Sequence, residues 1–386
     1  MRKEQVFWIL SIIGGCAIFS STMSKNPVLP LFAQHLGAAE EYIGLISAAS
    51  TIPGILISMP AGTLSDVYGR KRLLQCALLI FASAPLLYLF VQEVWQLALI
   101  RFYHGFATAI FGPVALAAVA DMFVENRGAR LGLYSSVTMI GRMVAPAAGG
   151  FLLAIGSFSS VYLACAVGGI LAFILSFTIT ESTPPRIERD PNLKQNIRHI
   201  LQNKQIMATN FVEACQYFAF GGFETFLPLY AYSVGISTPE IGLIFSIQLV
   251  ITLVTKPTMG KISDTKGRNP VILLGLILCG GSLMVVPITE HVLMMSLAAS
   301  GFGLGLASVT ASTSALVSDL SRGSHGSALG VLSMIMDMGH ASGPVVTGVL
   351  IAAWGYRNAF LCNALLLICA GALFYIIHHF LSAHER

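Results

Sequence analysis

The chain has 386 residues, of which 55% are hydrophobic and only 10% charged, with a formal net charge of +4. Soluble domains carry about 25% charged residues, so this balance cannot cover a water-facing surface, and the mean hydropathy of +0.77 agrees. A soluble globular protein, a disordered chain and a nucleic-acid binder are excluded, the last because so small a charge makes no phosphate-reading stripe. What remains is a polytopic protein of the lipid bilayer.

Apolar runs near or above the ~20 residues that a spanning helix needs recur along the whole chain. Twelve segments are predicted, over 5–35, 40–64, 72–91, 94–120, 128–155, 158–180, 205–234, 239–262, 269–288, 291–318, 326–353 and 356–380. The first follows Arg2 and Lys3, as a signal peptide does. It runs on well past a signal's apolar core and meets no A-x-A-like site, so it is read as a helix. One long polar stretch, 181–204, follows the sixth segment, and Pro184, Pro185 and Pro191 keep its start from being helical. The predicted organisation is all-α: an N-terminal six-helix bundle over 1–180, a cytoplasmic linker over 181–204 and a C-terminal six-helix bundle over 205–386. All seven cysteines lie inside apolar runs, with no CxxC, and read as small buried hydrophobes. Neither a disulfide framework nor a metal site is expected.

Lysine and arginine set the orientation. With the N-terminus in the cytoplasm, 17 of the 22 Lys+Arg fall in inside segments, from Arg2 and Lys3 to Arg322 and Arg386. The outside loops hold Arg357 alone, and Lys25, Arg101, Arg142 and Lys256 lie within helices. An odd helix count would scramble this asymmetry. The expectation is an integral protein of the cell (inner) membrane with both termini cytoplasmic.

The second half copies the first at an offset of 198. Gly62, Asp66, Gly69 and Arg70 match Gly260, Asp264, Gly267 and Arg268, and Asp121 matches Asp319. Gly132, Gly141, Pro146 and Gly150 match Gly330, Gly339, Pro344 and Gly348. So many coincidences in register point to a duplicated unit.

The stretch Gly62-Thr-Leu-Ser-Asp66-Val-Tyr-Gly69-Arg70-Lys71-Arg72 resembles the signature loop of the major facilitator superfamily, G-x-L-x-D-x-x-G-R-[KR]. Its second copy runs from Gly260 to Arg268. The glycines are read as letting helix ends and a tight turn approach a neighbour, and Asp66 as pairing with an arginine or a helix N-terminus. The resemblance implies a cytoplasmic gate with Asp121 as partner. It implies a fold of two parallel six-helix halves with the substrate near the midplane. Arg101-Phe-Tyr-His104-Gly105 resembles the family's R-x-x-Q-G, with His104 in place of glutamine, and the resemblance ties this arginine to proton transfer. Snorkelling to the nearby surface is the other reading of Arg101. Gly132-x8-Gly141-Arg142-Met-Val-Ala145-Pro146-Ala-Ala-Gly149-Gly150 resembles the signature of the family's drug/proton antiporters, with Ala145 in place of a glycine. Plain small-residue packing is the alternative.

Ionisable residues inside a bilayer are functional candidates by default. Glu213, Tyr217, Phe220 and Glu224 stand at steps of 4, 3 and 4 along the seventh segment, which puts them on one helical face. Asp337 and His340 lie one turn apart and can pair. Glu224 and Asp337 are the first candidates for proton coupling, and Glu213 the third. A structural ion pair is the alternative for each of these three carboxylates, and His340, Arg101, Arg142 and Lys25 are further cavity candidates.

The leading reading is a proton-coupled exporter of small amphipathic molecules, acting as a monomer by alternating access between the bundles. The alternative is a transporter of a specific anionic metabolite or sugar of unknown direction, with Lys25, Arg101 and Arg142 as clamps. No HExxH, GxGD, G-x-S-G or P-loop occurs, so neither an enzyme nor an ATP-driven pump is expected. No cofactor is implied.

Overall fold

The computed structural model describes residues 3–123, 125–179, 198, 200–321 and 325–384. The predicted linker therefore lies outside the described residues, apart from its last few positions. So do Arg2, Arg322 and Arg386. Apart from a 3-10 turn at Val286–Ile288, the regular structure of the described chain is α-helical: α1 Lys3–Lys25, α2 Val28–His35, α3 Glu40–Ala49, α4 Thr51–Tyr68, α5 Arg70–Tyr88, α6 Val94–Met122, α7 Arg127–Ile155 and α8 Phe158–Ser176 in the first half. The second half holds α9 Lys204–Ser233, α10 Thr238–Lys266, α11 Arg268–Val285, α12 Val292–Leu320 and α13 His325–His384. Ten stretches of the described chain are long and apolar enough to cross a membrane. The last of these, His325–His378, leaves helical geometry at Gly355, where φ is +77°.

Two predicted segments are broken. The first divides at Asn26 and Pro27 into α1 and α2, since a proline inside a helix removes one ladder hydrogen bond. The second divides at Ser50 into α3 and α4. The signature stretch corrects a further expectation. Gly62 to Tyr68 continue α4 as helix, and the turn into α5 is Gly69 alone, at φ +94°. Gly267 makes the same turn between α10 and α11 at φ +93°. Only glycine adopts that backbone without strain.

Helix starts are set locally. Glu93 and Gln96 form a capping box at α6, and Asn203 Oδ1 accepts from the N–H groups of Gln205 and Ile206 at α9. All seven cysteines are free thiols, but only Cys165, Cys215 and Cys279 are buried, while Cys76 and Cys369 lie on the surface.

The chain divides into two compact units, Met1–Glu188 with Ser237–Ser246, and Arg189–Ile236 with Ile247–Arg386. In the first, Phe7, Leu10, Ile13 and Ala17 of α1 pack into a core with Leu74, Leu78 and Phe81 of α5 and Phe111 and Val114 of α6. One end of α1 is pinned to α7 by a two-pronged pair between Glu4 and Arg130, at 2.5 and 2.9 Å. The same guanidinium lies over the rings of Phe7 and Phe123. The opening turns of α10 join this unit: Thr238 Oγ1 donates to Gly150 O at 3.0 Å and Ala147 N–H to Ser246 Oγ at 3.2 Å. In the second unit, α9 lies against α12 and α13. Phe223 stacks on Phe302 with centroids 4.4 Å apart, and the backbones of Gly339 and Gly343 press on Ala214 and Phe218.

Candidate functional site

Four groups of sequence-predicted residues have a defined geometry. The first is the duplicated motif. Arg70 Nε donates to Asp121 Oδ2 at 2.9 Å, Nη2 is ion-paired with Asp66 at 2.5 Å, and Nη1 reaches Ser65 Oγ. In the second copy Arg268 makes the same set: Asp319 at 3.1 Å, Ser263 at 2.8 Å, and Asp264. Every partner lies 198 positions from its counterpart. The serines are not among the predicted site residues, although Ser65 and Ser263 stand in register and the offset is a signal that finds them. The copies differ in environment. Arg70 is 3% exposed and Asp121 9%, against 20% for Arg268 and 58% for Asp319. The first glycine of each motif does not meet its expectation, because Gly62 and Gly260 face open space. Their carbonyls are what the network uses: Gly62 O accepts from Ser65 and Arg70, and Gly260 O from Ser263.

The second group is the glycine stretch of α7. A Cβ on Gly141 would lie 2.6 Å from Gly15 O, and one on Gly149 would lie 3.2 Å from Met23 of α1. A Cβ on Gly150 would collide with the backbone of Thr238. Ala145 and Pro146 are buried beside them. Gly132 has nothing within 4 Å and takes no part in this packing. Leucine at Gly141 must therefore push α7 off α1, at a cost of roughly 1–3 kcal/mol or more. We expect Gly141→Leu to abolish transport and Gly132→Leu to leave it near normal, as measured by substrate flux in reconstituted vesicles.

The third group joins α9 to α13. His340 Nε2 lies 3.0 Å from Glu224 Oε2. His340 thus bonds across helices, while Asp337 on its own helix stays within electrostatic reach of it. Phe220 stacks on the His340 ring at 5.6 Å, and Tyr217 meets its edge at 6.3 Å. Phe302 lies behind Phe220. The pair is 15–20% exposed, and Asp337 is half-buried on the same helix. Tyr217, Phe220 and Glu224 of the predicted α9 face thus meet a base of α13, an acid and a base among aromatic rings.

Glu213 belongs to a fourth group. It is 2% exposed, and its Oε2 accepts from Thr313 Oγ1 of α12 at 2.7 Å. Asn210 and Gln216, one turn to either side, are fully buried, and Gln216 Nε2 donates to Cys279 Sγ at 3.1 Å. One stripe on α9 therefore serves two neighbours, α12 at Glu213 and α13 at Glu224.

Arg101 does not snorkel. It is 3% exposed, with Nη2 donating to Ser50 Oγ at 2.5 Å. Gly105, one turn on, presses against the Ser50 backbone and so brings α6 to the break between α3 and α4. His104 is 2% exposed. Arg142 is exposed, and Lys25 half-buried at the end of α1. Thr313 and Ser50, which hold these groups, carry no sequence signal.

Comparison with known proteins places this geometry. An uncharacterised MFS-type transporter of Methanocaldococcus jannaschii is 26% identical over 91% of this chain and 92% of its own. The multidrug resistance protein MdtG of Klebsiella pneumoniae is 26% identical over 93% of this chain and 89% of its own. Among solved structures, a bacterial homologue of the human lysosomal transporter Spinster superposes with a TM-score of 0.85 at 15% identity, covering 97% of this chain and 96% of that one. The family model described as Major Facilitator Superfamily matches residues 10–233 and again 209–385. The chain therefore belongs to the Major Facilitator Superfamily: it is an integral membrane transporter and not an enzyme, moving small molecules by secondary-active transport with alternating access.

Proposed function

We propose that the chain is a proton-coupled exporter of small amphipathic molecules, drugs among them, working as an antiporter. The observation that carries this reading is the Glu224–His340 pair, set among Tyr217, Phe220 and Phe302. Aromatic walls accept flat apolar molecules of many shapes, and a carboxylate among them attracts a cation. The same carboxylate takes a proton. Substrate and proton then compete for one charge, which is the requirement for exchange. The close-packed glycines of α7, in the antiporter-like stretch, agree with this reading, as do relatives named multidrug resistance proteins. Arg101 is too enclosed to clamp a substrate directly, which weighs against the anionic-metabolite alternative.

The architecture that goes with this function is twelve spanning helices in two six-helix bundles, over 1–180 and 205–386. Counting α13 as two helices about Gly355 and adding α9 to the ten apolar stretches gives that number. The acids and amides of α9 lower its hydropathy. The positive-inside bias puts both termini in the cytoplasm of the cell (inner) membrane, where the chain acts as a monomer with protons and a small-molecule substrate as its partners.

The test is transport by the purified chain in vesicles with an acidic interior, using a fluorescent lipophilic cation. Uphill accumulation that collapses with a proton ionophore is the expected result. Accumulation that ignores the ionophore, or proton and substrate moving in the same direction, overturns antiport.

A further inference from the structure

Inside the first unit, four polar side chains from three helices are enclosed together. Tyr88 of α5 is 2% exposed, Arg101 and His104 of α6 are 3% and 2%, and Tyr162 of α8 is 0%. The two tyrosine rings stack at 4.3 Å and 11°. The His104 ring lies 6.3 Å from Tyr88 and meets Phe81 edge-on at 5.7 Å. Arg101 is within electrostatic reach of all three. Arg101 and Tyr88 bond each other, yet Arg101 Nε, the Tyr162 hydroxyl and both His104 nitrogens have no hydrogen-bond partner among the described residues.

Buried polar groups are almost always paired, and each exception needs an account. The fold does not require this set. At the 198 offset the same four places hold Val286, Ala299, Phe302 and Phe360, all 0% exposed. The second half thus closes its core with apolar groups where the first holds a cation and three polar rings.

The chemistry of the orphaned atoms is one-sided. The guanidinium N–H, the Tyr162 O–H and an imidazole N–H are all donors, and the Tyr88 O–H can donate while its oxygen accepts from Arg101. Among the described residues no carboxylate pairs with Arg101. Along α6 the nearest acid is Glu93, eight residues away, and along α3 Glu41 is nine residues from Ser50. These separations are about 12 and 13 Å at the helical rise. Water would satisfy the hydrogen bonds but leave the buried charge uncompensated, which is strongly unfavourable.

We propose that Arg101, Tyr88, Tyr162 and His104 form a buried site for a small inorganic anion, chloride under cellular conditions. The anion is the counter-ion of Arg101. It ties α5, α6 and α8 together, and through Ser50 reaches the break between α3 and α4. Its role is to set the conformation of the first unit, apart from substrate.

Three measurements on the purified full-length protein decide it. Replacing chloride with gluconate at constant ionic strength should lower the unfolding midpoint, and bromide should restore it with a saturable dose response. In Arg101→Gln the midpoint should become indifferent to the halide. Tyr162→Phe, which keeps the ring stack and removes one donor, should raise the half-saturating halide concentration several-fold. Crystals grown in bromide should show an anomalous peak within hydrogen-bond distance of Arg101 Nε, which tests the site even if Arg101→Gln does not fold. Equal midpoints in chloride and gluconate, or a water in place of the anomalous peak, overturn the proposal and leave a hydrated polar chamber. A halide response that persists unchanged in both variants places the anion elsewhere and overturns it as well.

Discussion

Glu224→Gln should abolish accumulation driven by an imposed pH gradient while leaving substrate exchange down its own gradient measurable. The amide keeps the size of a protonated acid and holds no exchangeable charge, so under the proposed mechanism the variant is fixed in one of the two states between which Glu224 would alternate. His340 loses the charged partner 3.0 Å away, though the amide can still bond it, and retains the Phe220 and Tyr217 rings around it. Asp337→Asn is expected to reduce gradient-driven transport in the same way, through its neighbourhood to His340. The readouts are two flux assays on the same vesicles, one with a pH gradient and one of counterflow with labelled substrate. Full gradient-driven accumulation in both variants sends the proton site to Glu213, whose carboxylate bonds Thr313. Loss of counterflow along with accumulation means that Glu224 binds substrate or supports the fold rather than carrying the proton.

Arg70→Ala should destabilise the purified protein far more than Arg268→Ala, although the two arginines make the same bonds. Arg70 is 3% exposed, and removing it strands Asp66 and Asp121, which are 27% and 9% exposed. Breaking a buried pair from one side costs about 3–5 kcal/mol. Arg268 faces carboxylates that are 59% and 58% exposed, and pairs of that kind contribute about 0–1 kcal/mol. Thermal unfolding in detergent should show a large drop for the first variant and almost none for the second. Equal drops would mean that the network acts through geometry common to both copies and not through burial.

Much of the arginine network is legible in the amino-acid sequence alone. The 198-residue offset, visible in paired glycines and acids, joins Asp66 with Asp264 and Asp121 with Asp319, and both networks keep that register. The steps of 3 and 4 on α9 likewise bring Tyr217, Phe220 and Glu224 to one face. Other features depend on distances that a sequence does not carry. His340 has Asp337 three residues away and Glu224 on another helix, and only packing selects the second. Tyr88 and Tyr162 are far apart in the chain and stack because α5 and α8 are neighbours. The break at Ser50 does have a local mark, since the ring of Pro53 clashes with the carbonyl of Ala49, where α3 ends, although the apolar run 40–64 reads straight through it. Gly62 reads as a point of close approach because glycine so often is one. It faces open space instead, and its carbonyl is the atom that the network uses.

The glycines of α7 act by position. Gly141 and Gly149 must both meet α1, and Gly150 the start of α10, along one helix. A single inserted or deleted residue between Gly141 and Gly149 turns everything beyond it by about 100° and shifts it by ~1.5 Å. Large side chains would then face α1, and the glycines would face somewhere that does not need them. Loops absorb length changes, whereas this stretch tolerates none. In a population of variants, insertions and deletions should therefore vanish from 141–150 even where single substitutions on the exposed side, such as at Arg142, survive.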